Sequence, residues 1–201
     1  MTFGNSAMHV TSARRLAQLC GLCFAFLLPL TACSQMKTIK WKEEVRLASG
    51  QVIIVQRAED YRLVMEGLST GWLFNYERIR TTLSVTSKEV AWEGRLKPLA
   101  LDVTANGDIY LVAVVAEAAG RKEYALPDGI NHVAFTYVDN NRWQRIPIAA
   151  VPRDFHPNMM ADTRGLFIEN GSTADFVDLA LKAKVDSDPR IDSRFRKWPA
   201  Q

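Results

Sequence analysis

The sequence predicts a mainly β fold of the α+β class, in which antiparallel hairpins form a sheet or sandwich and one helix lies near the C-terminus. Three observations support this prediction. Polar and apolar residues alternate at 39–47, turn residues separate several pairs of apolar runs, and a clear helical pattern follows residue 172. Strand-like runs do not alternate with long helical segments, which argues against a parallel sheet.

The first predicted hairpin opens the domain. Residues 39–47 (IKWKEEVRL) carry apolar side chains at alternate positions, with Glu43 as the exception on that face, and this pattern is typical of a half-buried strand. A turn at 48–51 leads to a second strand at 52–55. We interpret Glu43 as lying at an edge or as the partner of a nearby arginine. Residues 58–71 show no clear period, and we expect irregular structure there.

Two further hairpins are predicted from their turns. Aromatic and β-branched residues indicate a strand at 72–85. The runs 99–104 and 109–115 flank Asn106-Gly107, which predicts a tight turn with positive φ at both residues. This dipeptide is the strongest short-range hairpin signal in the chain.

The next pair of runs, 133–138 and 142–148, flanks three polar residues at 139–141 and predicts another hairpin. Residues 149–166 contain two prolines and a glycine, so we expect an irregular loop there.

The C-terminal helix is predicted from capping and from one apolar face. Ser172 is the expected N-cap, with Asp175 at the third helical position. Apolar residues recur at helical spacing at Phe176, Leu179 and Ala183.

A removable segment precedes the β pattern. Arg14 and Arg15 supply positive charge, and residues 16–30 form an apolar run of 15 residues that contains Pro29. This is the layout of a secretory signal. A helix needs about 20 apolar residues to cross a bilayer, so a permanent span is not favoured. We therefore predict a signal peptide at residues 1–32.

The end of this segment resembles the lipobox of bacterial lipoproteins. Leu30, Thr31 and Ala32 match the branched and small residues that a dedicated signal peptidase recognises, and Cys33 follows them. The resemblance implies cleavage before Cys33, a diacylglycerol on its thiol and, usually, acylation of its amine. An ordinary cleaved signal and an uncleaved anchor are the alternatives.

The residue after the cysteine is Ser34 and not Asp, and in this the chain resembles lipoproteins that are sorted to the outer membrane. We expect the protein there, lipid-anchored and facing the periplasm or the cell surface. The predicted organisation is an acylated N-terminus and tether at 33–38, followed by a single β-rich domain at 39–201.

The mature chain also resembles a family of proteobacterial lipoproteins of unknown function. The resemblance lies in W-K-E-E-V-x-L at 41–47, in G-x-V-I-x-V-x-R at 50–57 and in F-V-x-L-x-x-K at 176–182. It covers most of 39–196, with a divergent middle. It implies a single domain and supplies no catalytic residues.

Composition excludes several functions. Loss of Arg14 and Arg15 with the signal leaves 23 cations against 22 acids, and no basic stripe is present, so we expect no nucleic-acid partner. Cys20 and Cys23 leave with the signal, and acylation of Cys33 removes the last free thiol. The sequence therefore predicts no cysteine-based metal site and no cofactor.

Two motifs suggest chemistry but have simpler explanations. Ser69 lies in a G-x-S-x-G pattern, the nucleophile elbow of serine hydrolases, which needs a helix after the serine. A strand is predicted there instead, so a glycine-rich loop is favoured. Asp102 opens a partial calcium-loop pattern, which the Asn-Gly hairpin also explains. His132 and His156 lack metal-binding spacing. We predict no catalytic and no metal-binding residues.

The sequence thus favours a non-enzymatic interaction or structural module of the bacterial envelope, held on its membrane by lipid and open to an envelope protein partner. A module that binds a small ligand or a glycan through aromatic side chains is the alternative. A serine hydrolase that uses Ser69 is less favoured than either.

Overall fold

The structure is a computed structural model, and it describes residues 35–67, 69–84, 86–160, 163, 175–188 and 190–195. These residues form two sheets that are mostly antiparallel, together with a helix near the C-terminus. The predicted mainly β, α+β class is confirmed. Among the described residues, no helix has the length and apolar character needed to cross a membrane.

The first sheet has five strands in the spatial order β4-β3-β2-β1-β9, and β9 is parallel to β1. Its strands are β1 (Met36–Arg46), β2 (Val52–Glu66), β3 (Ser69–Leu83), β4 (Lys88–Gly94) and β9 (Phe176–Val177).

The second sheet has four antiparallel strands in chain order. They are β5 (Lys97–Val103), β6 (Ile109–Val114), β7 (His132–Asp139) and β8 (Arg142–Ile146). The helices are α1 (Ala118–Glu123) and α2 (Leu179–Asp186), with short 3-10 turns at Ile148–Ala150 and Ser193–Phe195.

The first hairpin is longer than the sequence predicts. β1 begins at Met36, which pairs with Arg62, so residues 36–38 belong to the sheet and not to a tether. β2 continues to Glu66, and the expectation of irregular structure at 58–71 is wrong. The apolar alternation ends because Arg57 and Glu59 replace apolar residues on the inward face of β2, where they form ion pairs with side chains of other elements.

The two predicted later hairpins are present, with one difference in turn geometry. At the β7–β8 turn, Asn140 and Asn141 both have positive φ, at 45° and 58°. At the β5–β6 turn, Gly107 has a φ of 86° but Asn106 does not have positive φ, contrary to the prediction. That loop is longer than a two-residue turn, because the Thr104 amide donates to the Asp108 carbonyl across it.

The C-terminal helix begins later than predicted. Asp178 is its N-cap, with a side-chain oxygen that accepts from the Leu181 amide at 2.7 Å. Phe176 is extended rather than helical, because its backbone pairs with the edge of β1 and the Lys42 amide donates to the Asp175 carbonyl at 2.9 Å. Asp175 is therefore not a helical residue, and Ser172 lies outside the described residues.

The core lies between the inner faces of the two sheets. Trp92 of the first sheet and Phe135 of the second have ring centroids 6.2 Å apart. Fully buried aliphatic side chains from both sheets surround them, namely Val45, Val55, Leu83, Leu101 and Leu111. A second cluster, which includes Phe155, packs on Ala100 and Val112 of the second sheet.

Candidate functional site

Six charged side chains are buried on the inner side of the first sheet, and we call them the buried charged cluster. Strand alternation directs three carboxylates and one guanidinium of β1, β2 and β3 inward, where two lysines meet them. The members are Glu43, Arg57, Glu59, Glu77, Lys97 and Lys182. Three acids face three cations, so the cluster is neutral when every member is ionised.

Arg57 lies at the centre of the buried charged cluster. Its guanidinium donates to Glu77 Oε1 at 2.7 Å and 2.5 Å, to Glu43 Oε2 at 2.6 Å and to the Met160 carbonyl at 2.6 Å. The guanidinium also stacks on the Trp41 ring, 4.8 Å from its centroid. Burial lowers the pKa of Arg57, but Glu77, Glu43 and Glu59 outweigh burial and raise that pKa above its ordinary value.

Lys97 brings the second sheet into the cluster. Its ammonium lies 2.8 Å from Glu59 Oε1. The second oxygen of Glu59 accepts from the hydroxyls of Tyr61 and Thr163. Although burial raises the pKa of Glu59, Lys97 and Arg57 lower it below its ordinary value. Burial, followed by Glu59, raises the pKa of Tyr61, which therefore stays a hydrogen-bond donor.

Lys182 joins α2 to the same cluster. Its ammonium contacts Glu43 Oε1 at 2.8 Å, and it donates to the carbonyls of Glu44 at 2.5 Å and Asn158 at 2.6 Å. The Met160 amide donates to the same Glu43 oxygen at 2.7 Å. The predicted pairing of Glu43 with an arginine is confirmed. The cluster fixes β1, β2, β3, β5 and α2 relative to each other.

Glu77 is the weakest point of the cluster. Its Oε2 is buried and forms no hydrogen bond to any described atom. Burial is the main cause that raises the pKa of Glu77 to about 8, with a further contribution from Glu59, while Arg57 acts in the opposite direction. Since the whole cluster is closed to solvent, its contacts indicate a structural role rather than a substrate site.

An open groove of about 820 Å³ lies on the outer face of the first sheet. The strand register places two rows of side chains across its floor. One row consists of Lys40, Ala58, Arg78 and Glu93, and the other consists of Lys42, Gln56, Arg80 and Ala91. We call this surface the outer groove.

Apart from the buried Arg57, four cations and two acids line the outer groove: Lys40, Lys42, Arg78, Arg80, Glu93 and Asp175. Arg78 is paired with Asp60 at 2.8 Å, and Arg80 lies 3.5 Å from Glu89. Lys40 and Lys42 are exposed and form no ion pair with another described residue. Lys40 and Lys42 therefore offer two ammonium groups to an acidic partner beside the middle of β1, although the groove as a whole is close to neutral.

Aromatic residues at the groove wall serve packing. The Trp143 indole donates to the Ala91 carbonyl at 2.7 Å, and the Ala91 amide donates to Asn141 Oδ1 at 3.0 Å. The Trp143 ring also meets the Tyr137 ring edge-on, with centroids 5.4 Å apart. These contacts cover the outer edge of β4 with the β7–β8 hairpin, which protects that edge from pairing with another chain.

A smaller depression of about 380 Å³ contains Asp102 and His156. Asp102, the first residue of the partial calcium-loop pattern, accepts from the amides of Ala48 at 3.0 Å and Val103 at 2.9 Å. Burial raises the pKa of Asp102 above its ordinary value. Within the described part of the chain, no three His, Cys, Asp or Glu side chains are grouped as metal ligands.

The structure separates the other residues that the sequence singled out. Ser69 is the first residue of β3 and is followed by a strand, as the sequence predicted, so the helix that a nucleophile elbow needs is not there. His132 contacts the Arg194 carbonyl at 3.0 Å, and burial lowers the pKa of His132. The predicted lipobox, Leu30 to Cys33, lies outside the described residues.

Comparison of the chain with protein-family models, with characterised proteins and with solved structures finds no match.

Proposed function

We propose that this chain is a lipoprotein of the bacterial envelope, anchored through Cys33 to the outer membrane, and that its β domain binds an acidic segment of a protein partner in the outer groove. The lipobox at 30–33, the apolar run before it and the resemblance of residues 41–47 to a proteobacterial lipoprotein family support the anchor. The outer groove supports the binding role.

The observation that carries the binding role is the pair of exposed lysines on β1. Lys40 and Lys42 lie in adjacent rows of the groove floor, about 7 Å apart along an extended strand. This is the repeat at which acidic side chains on one face of an extended partner recur. An open groove accepts such a segment without requiring the domain to rearrange.

The glycan-binding alternative receives less support from the groove. Sugar recognition uses the faces of exposed aromatic rings, whereas Trp143 and Tyr124 are engaged in packing with Tyr137 and Phe135. A serine hydrolase receives less support again, because Ser69 lies at the start of a strand.

A binding measurement with poly-L-glutamate tests the proposal. The double substitution Lys40→Glu/Lys42→Glu reverses two charges in the groove, and Lys122→Glu/Lys184→Glu makes the same change in net charge at exposed positions elsewhere. We expect the groove variant to bind at least about tenfold more weakly, equal to about 1.4 kcal/mol. We expect the control to retain affinity, with binding that weakens as salt is added.

Equal loss in both variants would show that net charge, and not the groove, attracts the polymer. Unchanged affinity in the groove variant would contradict the proposal directly.

A further inference from the structure

The β2–β3 hairpin ends in exposed apolar side chains, and we call these residues the hairpin tip: Leu63, Val64, Met65 and Trp72. Met65 is 75% exposed and Trp72 is 39% exposed. Leu63 and Val64 are half-buried. Exposed apolar groups gathered at one end of a domain mark a surface that binds another molecule or a membrane.

The hairpin tip is a continuation of the apolar inner face. Tyr61 pairs with Phe74 and both are buried, and the next pair on that face is Leu63 with Trp72. Met65 follows on the same face. A register shift between Asp60 and Tyr61 in the β2–β3 pairing places Phe74 opposite Tyr61 and Trp72 opposite Leu63. The strands thus carry their apolar face past the end of the core.

The N-terminal end of the domain lies beside the hairpin tip. The Leu63 amide donates to the Gln35 carbonyl at 2.9 Å, and β1 is antiparallel to β2. β1 therefore begins beside the part of β2 that leads into the β2–β3 turn.

The covalent reach of the anchor is short. One residue, Ser34, separates Cys33 from Gln35, and the two steps between their Cα atoms span at most about 7 Å. β2 extends about 10 Å from Leu63 to Glu66, its last residue. Cys33 therefore lies within about 20 Å of the end of the hairpin, so that acyl chains held in a bilayer keep the hairpin tip near the same surface.

We propose that the hairpin tip rests in the interface of the bilayer that receives the acyl chains of Cys33. This inference rests on the proposed lipidation. The chemistry of the tip suits that site, since Trp72 and Met65 are apolar while Arg62 and Lys37 flank them at positions able to meet lipid phosphates. Lipid chains alone would let the domain pivot, whereas a second contact fixes its orientation.

The fixed orientation has a consequence for the outer groove. The β2–β3 turn of the first sheet then points towards the membrane. The outer groove opens parallel to the membrane surface and not into the bilayer. A partner segment in the envelope space reaches Lys40 and Lys42 without crossing the headgroups.

Depth-dependent fluorescence quenching tests the membrane contact. The acylated protein has no free thiol, so Met65→Cys introduces a single site for an environment-sensitive fluorophore. Val138→Cys is the matched control, because Val138 is 48% exposed and lies on β7 of the second sheet. Each protein is reconstituted in phosphatidylethanolamine and phosphatidylglycerol vesicles, with and without lipids that carry a quencher. Intact mass of each preparation reports the acylation of Cys33.

We expect lipid-borne quencher to remove fluorescence from the Met65 probe and to leave the Val138 probe unchanged. If Cys33 is acylated but the Met65 probe is not quenched, the membrane contact is wrong and the anchor stands. A Met65 probe shielded from aqueous iodide but not reached by lipid quencher would indicate a protein partner or a second copy of the chain, and would overturn the proposal. A bare Cys33 would remove the anchor and this inference with it.

Discussion

Replacement of Arg57 by methionine tests whether the buried charged cluster holds the first sheet in place. The guanidinium makes four hydrogen bonds, to Glu77 twice, to Glu43 and to the Met160 carbonyl, and all three charged side chains are fully buried. Methionine retains much of the volume and removes the charge, so the effect reports the ion pairs rather than a large cavity.

The expected magnitude follows from what remains. Glu43 keeps Lys182 and the Met160 amide, but Glu77 loses the partner of both of its charge-assisted bonds. Loss of one member of a buried pair costs roughly 3–5 kcal/mol. A domain of this kind is stable by about 5–15 kcal/mol, so the substitution removes a large share of the free energy of unfolding.

Urea denaturation followed by tryptophan fluorescence measures the change, with Arg80→Met as the control, at pH 9, where the Glu77 carboxylate is ionised because its pKa is about 8. Arg80 is 66% exposed, and its loss should change stability by less than about 0.5 kcal/mol. The double variant Arg57→Met/Glu77→Leu leaves the Glu43–Lys182 and Glu59–Lys97 pairs balanced and should recover at least about half of the loss. A loss in Arg57→Met no greater than that of the control would refute the reasoning.

Three further predictions concern single positions. Burial raises the pKa of Glu77 to about 8 from 4.5, so between these two pH values the folded chain holds a proton that the unfolded chain has released. The free energy of unfolding therefore falls as pH rises from about 4.5 to about 8. Glu77→Gln should flatten that fall when urea midpoints are compared at pH 5 and pH 8.5, and an unchanged slope would contradict the assignment. A Cβ at Gly120 would lie 2.3 Å from the Arg95 carbonyl oxygen, so Gly120→Ala should cost about 1–3 kcal/mol, whereas Gly71→Ala meets no atom within 4 Å and serves as the control. Asp178→Ala should cost about 1 kcal/mol by removal of the α2 N-cap, seen as a lower thermal midpoint.

The hairpins could be predicted because local signals determine them. Asn140 and Asn141 tolerate positive φ, and alternation at 39–47 is an ordinary strand pattern. The late start of α2 could not be read locally, because it depends on Phe176 pairing with a strand more than a hundred residues away. The helical spacing of Phe176 with Leu179 favoured the wrong element.

The buried charged cluster was only partly visible in the sequence. Glu43 stands out because Trp41 and Val45, which lie beside it on the inward face of β1, are apolar. An arginine partner is one of the two explanations that this pattern predicts, and Arg57 is that partner. Arg57 and Glu59 continue the inward alternation of Val55, and that spacing was the available signal. Lys97 and Lys182 join from distant elements, so their contribution depends on the packing of the two sheets and α2.

The outer groove, like the lysines of the buried charged cluster, depends on how distant parts of the chain pair and pack. No sequence motif predicts the groove, because Lys40 and Lys42 have the pattern of ordinary solvated residues on an amphipathic strand. Their significance comes from the register of β1 to β4, which aligns them with Arg78 and Arg80 across the sheet.

Mass spectrometry of the mature N-terminal peptide, purified from membranes of cells that express the full chain, tests the anchor on which the proposed role depends. We expect a peptide that begins at Cys33 and carries diacylglycerol on its sulfur, and we expect globomycin to cause the unprocessed precursor to accumulate. A peptide that begins elsewhere, or a Cys33 with a free thiol, would contradict the account.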